Sequence, residues 1–280
     1  MRATVAALSG ALVLSAFAVP AAEASDSPVS SKVALSSVGA TAAVADLDVT
    51  FSSIKVNNGK SIVVGATGEV SVPVTYRLTH DAGLDAGENS LASAPFIYRG
   101  GTSPLTAPYG FSSDDVANCT EVSTTVLNCS AVIYISPSKE FLPSSQAGTW
   151  KTGGLAAAAD GSTKIQGDVG TVKVLRTAKL TVNAAPEPVK KGKTITVTGK
   201  LTRANWDTNT YGGYGSQSVV LQFRKNGTTN YTNVKGIKST STGALKTTVT
   251  ASTDGYYRFT YAGSATAASA AVAGDYVDVQ

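Results

Sequence analysis

Few residues in this 280-residue chain are of types that could do chemistry. His80 is the single histidine. A Ser-His-Asp triad would have to be built on it alone, and neither a Gly-x-Ser-x-Gly elbow nor a His-Glu-x-x-His motif occurs. Zinc needs more nitrogen and sulfur ligands than the sequence holds. His80 ends a strand pattern beside Asp81, so it reads as a surface-loop histidine. Cys119 and Cys129 are the two cysteines, set in the near-repeat Asn118-Cys-Thr and Asn128-Cys-Ser around a hairpin turn at Ser123-Thr124. In an oxidising compartment this spacing reads as a disulfide stapling adjacent strands. A redox pair would instead favour Cys-x-x-Cys.

Two loops could bind something. In the segment from His80 to Asn89, Asp81, Asp85 and Glu88, with Asn89, could gather oxygens around a structural calcium ion. A solvated acidic loop is the competing reading. Asp207 to Gly212 imitates the start of an EF-hand loop, but Tyr211 and Ser218 stand where calcium ligands are required. The second loop runs from Asn205 to Gly215 and carries Trp206, Tyr211 and Tyr214. Flat aromatic rings near Asn and Asp suit sugar rings, which offer apolar faces and hydroxyl edges. The competing reading folds Trp206 and one tyrosine back onto the core. Paired carboxylates for glycoside hydrolysis would need defined separation across a cleft, and no cleft-forming aromatic pattern accompanies the acids of the first half.

These residues need a scaffold, and the chain opens with an address. Arg2, an apolar run from Val5 to Val19, Pro20 and Ala22-Glu23-Ala24 have the form of a secretory signal peptide over residues 1–24. Export implies an extracellular protein with a persistent disulfide. No cysteine follows the leader at lipoprotein position, no sortase-type tail ends the chain, and no later apolar run is long enough to span a bilayer. A released or cell-wall-associated protein without a membrane span is expected.

Charged residues are 15% of the chain, below the usual level of about a quarter. Charge is uneven. Ser25 to Thr177 holds 10 Lys and Arg against 13 Asp and Glu, whereas Ala178 to Gln280 holds 12 against 5. A basic second half could face an anionic polymer, although its lysines are scattered singly, which argues against specific nucleic-acid binding.

Residues 25–45 read as a flexible arm. From there strand signals dominate. Val70, Val72, Val74, Tyr76 and Leu78 alternate with polar residues, as do Leu127, Cys129, Ala131, Ile133 and Ile135. Pro73 falls on the outward set, which points to an edge or a bulge. Ala147 to Ala159, carrying Trp150, reads as a further strand. The expected fold class is all-β: two tandem β-sandwich domains, immunoglobulin-like, over 46–177 and 178–280. The second domain shows seven short strand patterns separated by turns, among them Lys191-Gly192, Asn226-Gly227 and Asp254-Gly255.

Asp254-Gly255-Tyr256-Tyr257-Arg258-Phe259-Thr260-Tyr261 resembles the signature that opens strand F of immunoglobulin domains, one residue short. The resemblance makes Tyr257 the corner tyrosine, with its hydroxyl bonded back to the backbone. It puts Phe259 where antibody domains carry a cysteine, and Phe223 in the core opposite Val197. Ala147-Gly-Thr-Trp150, the stretch Lys179 to Leu201 and the closing Gly-Asp-Tyr-Val-Asp-Val together resemble a group of two-domain secreted actinomycete proteins with a C-terminal bacterial immunoglobulin-like domain. That resemblance implies fold and export and assigns no activity.

The reading is therefore a secreted, non-catalytic, structural, adhesive or ligand-binding protein without a cofactor, structural calcium apart. Its partner would be a cell-wall or extracellular glycan or a protein. The alternatives are a carbohydrate-binding module using Trp206, Tyr211 and Tyr214, and a secreted hydrolase with an unrecognised carboxylate site.

Overall fold

The computed structural model describes residues 46–87, 90–138 and 142–280. The leader, the arm over 25–45, Glu88 and Asn89 lie outside the described residues. Strands dominate: β1 (Val49–Val56), β2 (Ile62–Val64), β3 (Val70–His80), β4 (Leu91–Arg99), β5 (Tyr109–Ser112), β6 (Asn118–Ser123), β7 (Val126–Ile135), β8 (Gly148–Ala158) and β9 (Thr163–Arg176). There follow β10 (Ala178–Ala185), β11 (Thr194–Asn205), β12 (Thr210–Gly213), β13 (Ser218–Lys225), β14 (Thr232–Lys238), β15 (Ala244–Thr250), β16 (Gly255–Tyr261), β17 (Ala270–Ala271) and β18 (Asp275–Val277). Among the described residues no helix is long and apolar enough to cross a membrane.

The chain divides into two compact units. Among the described residues one comprises 46–62, Val70–Ile135 and Thr149–Lys173; the other comprises Val63–Glu69, Ser136–Gly148 and Val174–Gln280. Two sheets, ordered β1–β3–β7–β6 and β2–β9–β8–β4–β5, carry the first unit, except that residues 63–64 of β2 and 174–176 of β9 belong to the second. The period-two pattern does the sorting. Val72, Val74, Tyr76 and Leu78 point inward and are buried, while Ser71, Pro73, Thr75 and Arg77 face out. Phe51, Ile133 and Ile135 join them, facing Ile97, Trp150 and Leu155 of the other sheet. Burying each such side chain stabilises the fold by about 1.5–3 kcal/mol. Gly154 on β8 leaves the space that the Phe51 ring fills; any Cβ there would collide with that ring. The Tyr76 hydroxyl shares a 2.6 Å hydrogen bond with the Ser93 hydroxyl. Burial nevertheless outweighs that bond and pushes the phenol up to about 12.

Two expectations change here. His80 continues the inward parity of β3 and is buried, with Nδ1 2.9 Å from the Asp81 carbonyl, instead of lying on a surface loop. β3 is flanked by β1 and β7, so it is no edge strand, but the β1 ladder starts only at Val74. Pro73 therefore sits where one flank is open, a position that tolerates a residue without an N–H.

The second unit is an immunoglobulin-like sandwich. One sheet is β10–β11–β15, with β12 continuing beside β11 where the β15 ladder stops. The other is β14–β13–β16, with β17 and β18 on the far side of β16. β11, β13 and β16 take the B, C and F places. Val197, Leu201, Val219, Leu221, Leu245 and Phe259 form the core. Phe223 is only partly buried, packed against that core, and its ring lies 4.8 Å from that of Tyr257. The corner bond expected of Tyr257 is absent among the described residues: the ring stacks on Phe223, and burial raises the phenol.

Candidate functional site

Cys119 and Cys129 form the expected disulfide, with Cα atoms 4.0 Å apart. They are directly opposed on β6 and β7, so the bond pins β6, the outer strand of its sheet. The closed loop is short, and removing chain entropy from the unfolded state is worth about 2–3 kcal/mol.

The acidic loop folds onto itself. Asp81 Oδ1 accepts the Gly83 N–H at 2.7 Å. Asp85 accepts the Gly87 N–H at 3.0 Å and the Ser90 hydroxyl at 2.6 Å. The Ser90 bond, then the Gly87 bond, holds the Asp85 carboxyl below its ordinary value. Among the described residues no group of three His, Cys, Asp or Glu could hold a metal ion.

The three aromatics of the Asn205–Gly215 loop do not form one exposed platform. Trp206 is 2% exposed. Its indole N–H points to the Val64 carbonyl at 3.4 Å, and its backbone N–H donates to the Ser144 hydroxyl at 2.9 Å. Tyr211 is covered by the Lys179 ammonium, 3.7 Å from the ring centroid. Tyr214 carries the Arg203 guanidinium 3.9 Å over its ring and packs edge-on against Tyr261. Trp206 therefore has no face left for a sugar, and Tyr211 and Tyr214 each have a cation over one face.

A different set of aromatics does face outward. On β13, Gln222 and Arg224 alternate with the inward Leu221 and Phe223; on β16, Tyr256 and Arg258 alternate with Tyr257 and Phe259. Strand register aligns them in two rows. Arg224 stands opposite Tyr256, which stands opposite Tyr276 of β18. Asn233 of β14 stands opposite Gln222, which stands opposite Arg258.

Tyr231 lies across the rows, with its hydroxyl against Gly274, where no Cβ would fit. Arg258 sits 3.7 Å over the Tyr231 ring and Arg224 sits 4.0 Å over the Tyr256 ring. Tyr256 and Tyr276 are 5.2 Å apart. Arg258 Nε donates to Gln222 Oε1 at 2.9 Å, and Gln222 Nε2 donates to Asn233 Oδ1 at 2.9 Å.

Among the described residues neither arginine is in an ion pair with a carboxylate. Bonding to the Tyr231 hydroxyl raises the Arg224 guanidinium further above its usual value, so it is a permanent cation. At one end, burial and then the Asp254 and Asp278 charges raise the Tyr276 phenol. The rows combine flat rings, amides and two cations held by stacking. Nothing local in the sequence joins these members, which come from four strands and one loop; the outward parity of Gln222/Arg224 and Tyr256/Arg258 is the signal it offers.

No family model matches the chain, and no curated protein is similar to it. Among solved structures, the Escherichia coli adhesin FdeC is similar at 14% identity and a TM-score of 0.32, over 85% of this chain and 66% of that one. The Yersinia pseudotuberculosis adhesin InvE is similar at 13% identity and 0.26, over 82% and 58%. Latent PorU of Porphyromonas gingivalis is similar at 10% identity and 0.27, over 82% of this chain and only 20% of PorU. These TM-scores are low, so function has to be read from the side chains.

Proposed function

We propose that the chain is an exported, non-catalytic adhesion protein that docks onto an anionic extracellular glycan through the outer face of the β14–β13–β16 sheet. One observation carries the reading: Arg224 and Arg258 are stacked on Tyr256 and Tyr231 in register, without carboxylate partners. Stacking holds the guanidiniums flat and lowers the entropy lost on binding, while their N–H groups remain able to grip carboxylate, sulfate or phosphate groups. The Gln222 and Asn233 amides beside them suit the hydroxyl edges of sugars. Charge complementarity supports the anionic partner, since Ala178 to Gln280 holds 12 Lys and Arg against 5 Asp and Glu. The leader-like N-terminus and the Cys119–Cys129 bond support export.

Retention on immobilised acidic and neutral polysaccharides tests this. Wild type is expected to bind the acidic polymer, to elute with salt, and to lose at least tenfold in affinity as Arg224→Gln/Arg258→Gln. Equal retention of wild type and the double variant would overturn the reading.

A further inference from the structure

At one end of the second sandwich, two more arginines meet with no carboxylate in an ion pair with either among the described residues. Arg176 closes β9, and Arg203 stands on β11 opposite Ala178, two residues further along. Arg176 lies near enough to Arg203 and Tyr214 for their charges to act on it. Backbone bonds fix the place: the Arg176 N–H donates to the Thr266 carbonyl at 3.1 Å, and the Ala268 N–H donates to the Arg176 carbonyl at 2.9 Å. This ties Arg176 to the turn that carries Ser264.

A tyrosine and a serine lie beside the arginines. Arg203 stacks on Tyr214, and the Tyr214 hydroxyl is 3.3 Å from the Ser264 hydroxyl. The Ser264 oxygen already accepts the N–H groups of Thr266 and Ala267. Arg176 Nε is buried and has no hydrogen-bond partner. Neither guanidinium is in an ion pair among the described residues. Asp207 is near enough for its charge to favour the Arg176 cation, but its carboxylate accepts the Ser144 N–H.

Burial, then the Arg203 charge, pulls Arg176 below its ordinary value. Burial alone would raise the Tyr214 phenol, but its bonds to Ser264 and Tyr261 and the two arginine charges outweigh it and lower the phenol. An unpartnered buried donor is costly, more so when charged, and a second cation beside it adds repulsion.

We infer that Arg176, Arg203 and Tyr214 form an oxyanion site that takes a phosphate group. Two guanidinium forks match the charge and the several acceptor oxygens of a phosphate dianion better than those of a single carboxylate. The bound group satisfies the Arg176 donor and relieves the repulsion. This site is separate from the Arg224–Arg258 rows and does not depend on glycan docking.

The test uses the full exported chain with inorganic phosphate, glycerol phosphate and acetate, each compared with chloride at matched ionic strength. Phosphate is expected to raise the melting temperature saturably, and Arg203→Gln to weaken binding at least tenfold. Lys246→Gln, which removes an equal charge from β15, is expected to bind as wild type does. Tyr214 supplies a second readout that survives if Arg176→Gln does not fold. Ultraviolet titration of wild type against Tyr214→Phe is expected to show that phosphate moves the Tyr214 phenol upward.

Binding of inorganic phosphate alone assigns a free-ion site; binding of glycerol phosphate as well assigns a phosphoryl group on a larger molecule. Either outcome supports the inference. Equal effects of acetate and phosphate, or unchanged phosphate binding by Arg203→Gln, would overturn it.

Discussion

Two sets of three aromatics in the second unit are placed by different means. Trp206, Tyr211 and Tyr214 are close in sequence, in a glycine-rich loop that looks made for display, yet each ring is buried or capped by a cation. Tyr231, Tyr256 and Tyr276 are scattered over 46 positions, yet strand register and stacking bring them onto one outward sheet face. Proximity in sequence is a poor guide to a binding surface on a β-sandwich. What decides is which side of the pleat a residue takes and which strand lies beside it. Trp206 holds structure; Tyr231 and Tyr256 hold two arginines on an outward sheet face.

That contrast can be broken by substitution. Trp206→Ala should cost the most, about 3–5 kcal/mol, read as a drop in the denaturation midpoint. Near-wild-type stability would return Trp206 to the candidate platform. In the first unit, Cys119→Ser/Cys129→Ser should cost about 2–3 kcal/mol without affecting glycan retention, because the bond holds an outer strand and no ligand.

Tyr76 is a buried phenol with the same structural role. Its folded value of about 12 lies above the ordinary 10.0, so its contribution is complete below pH 10 and is lost as pH rises towards 12. Stability should fall across that window by up to about 2–3 kcal/mol more in wild type than in Tyr76→Phe; parallel curves would contradict the assignment. Arg258→Ala should change stability least, within about 1 kcal/mol, yet weaken glycan retention. A large loss of stability there would make the outer rows structural as well.

Much of the fold was legible. Alternation on β3 and β7 marked the inward residues before any coordinate did, because a half-buried sheet forces a period of two. The disulfide was legible because two cysteines flank one hairpin turn. His80 was misread although it continues the parity of Val72 to Leu78; the acidic residues after it drew it into the loop.

Trp206 has two readings in the sequence, display and packing onto the core, and the structure takes the second. Its partners, Val64 and Ser144, lie 142 and 62 residues away, and nothing local announces them. The outward rows were half legible. Parity places Arg224, Tyr256 and Arg258 outside, but only register shows that Arg224 faces Tyr256 and that Tyr231 crosses beneath Arg258.

The most direct measurement is retention of wild type and Arg224→Gln/Arg258→Gln on one immobilised acidic polysaccharide, with folding of both checked by their melting temperatures. Salt-sensitive binding by wild type and at least tenfold weaker binding by an equally stable double variant is the predicted result. Equal binding by the two, or no binding by wild type at low salt, would contradict the account.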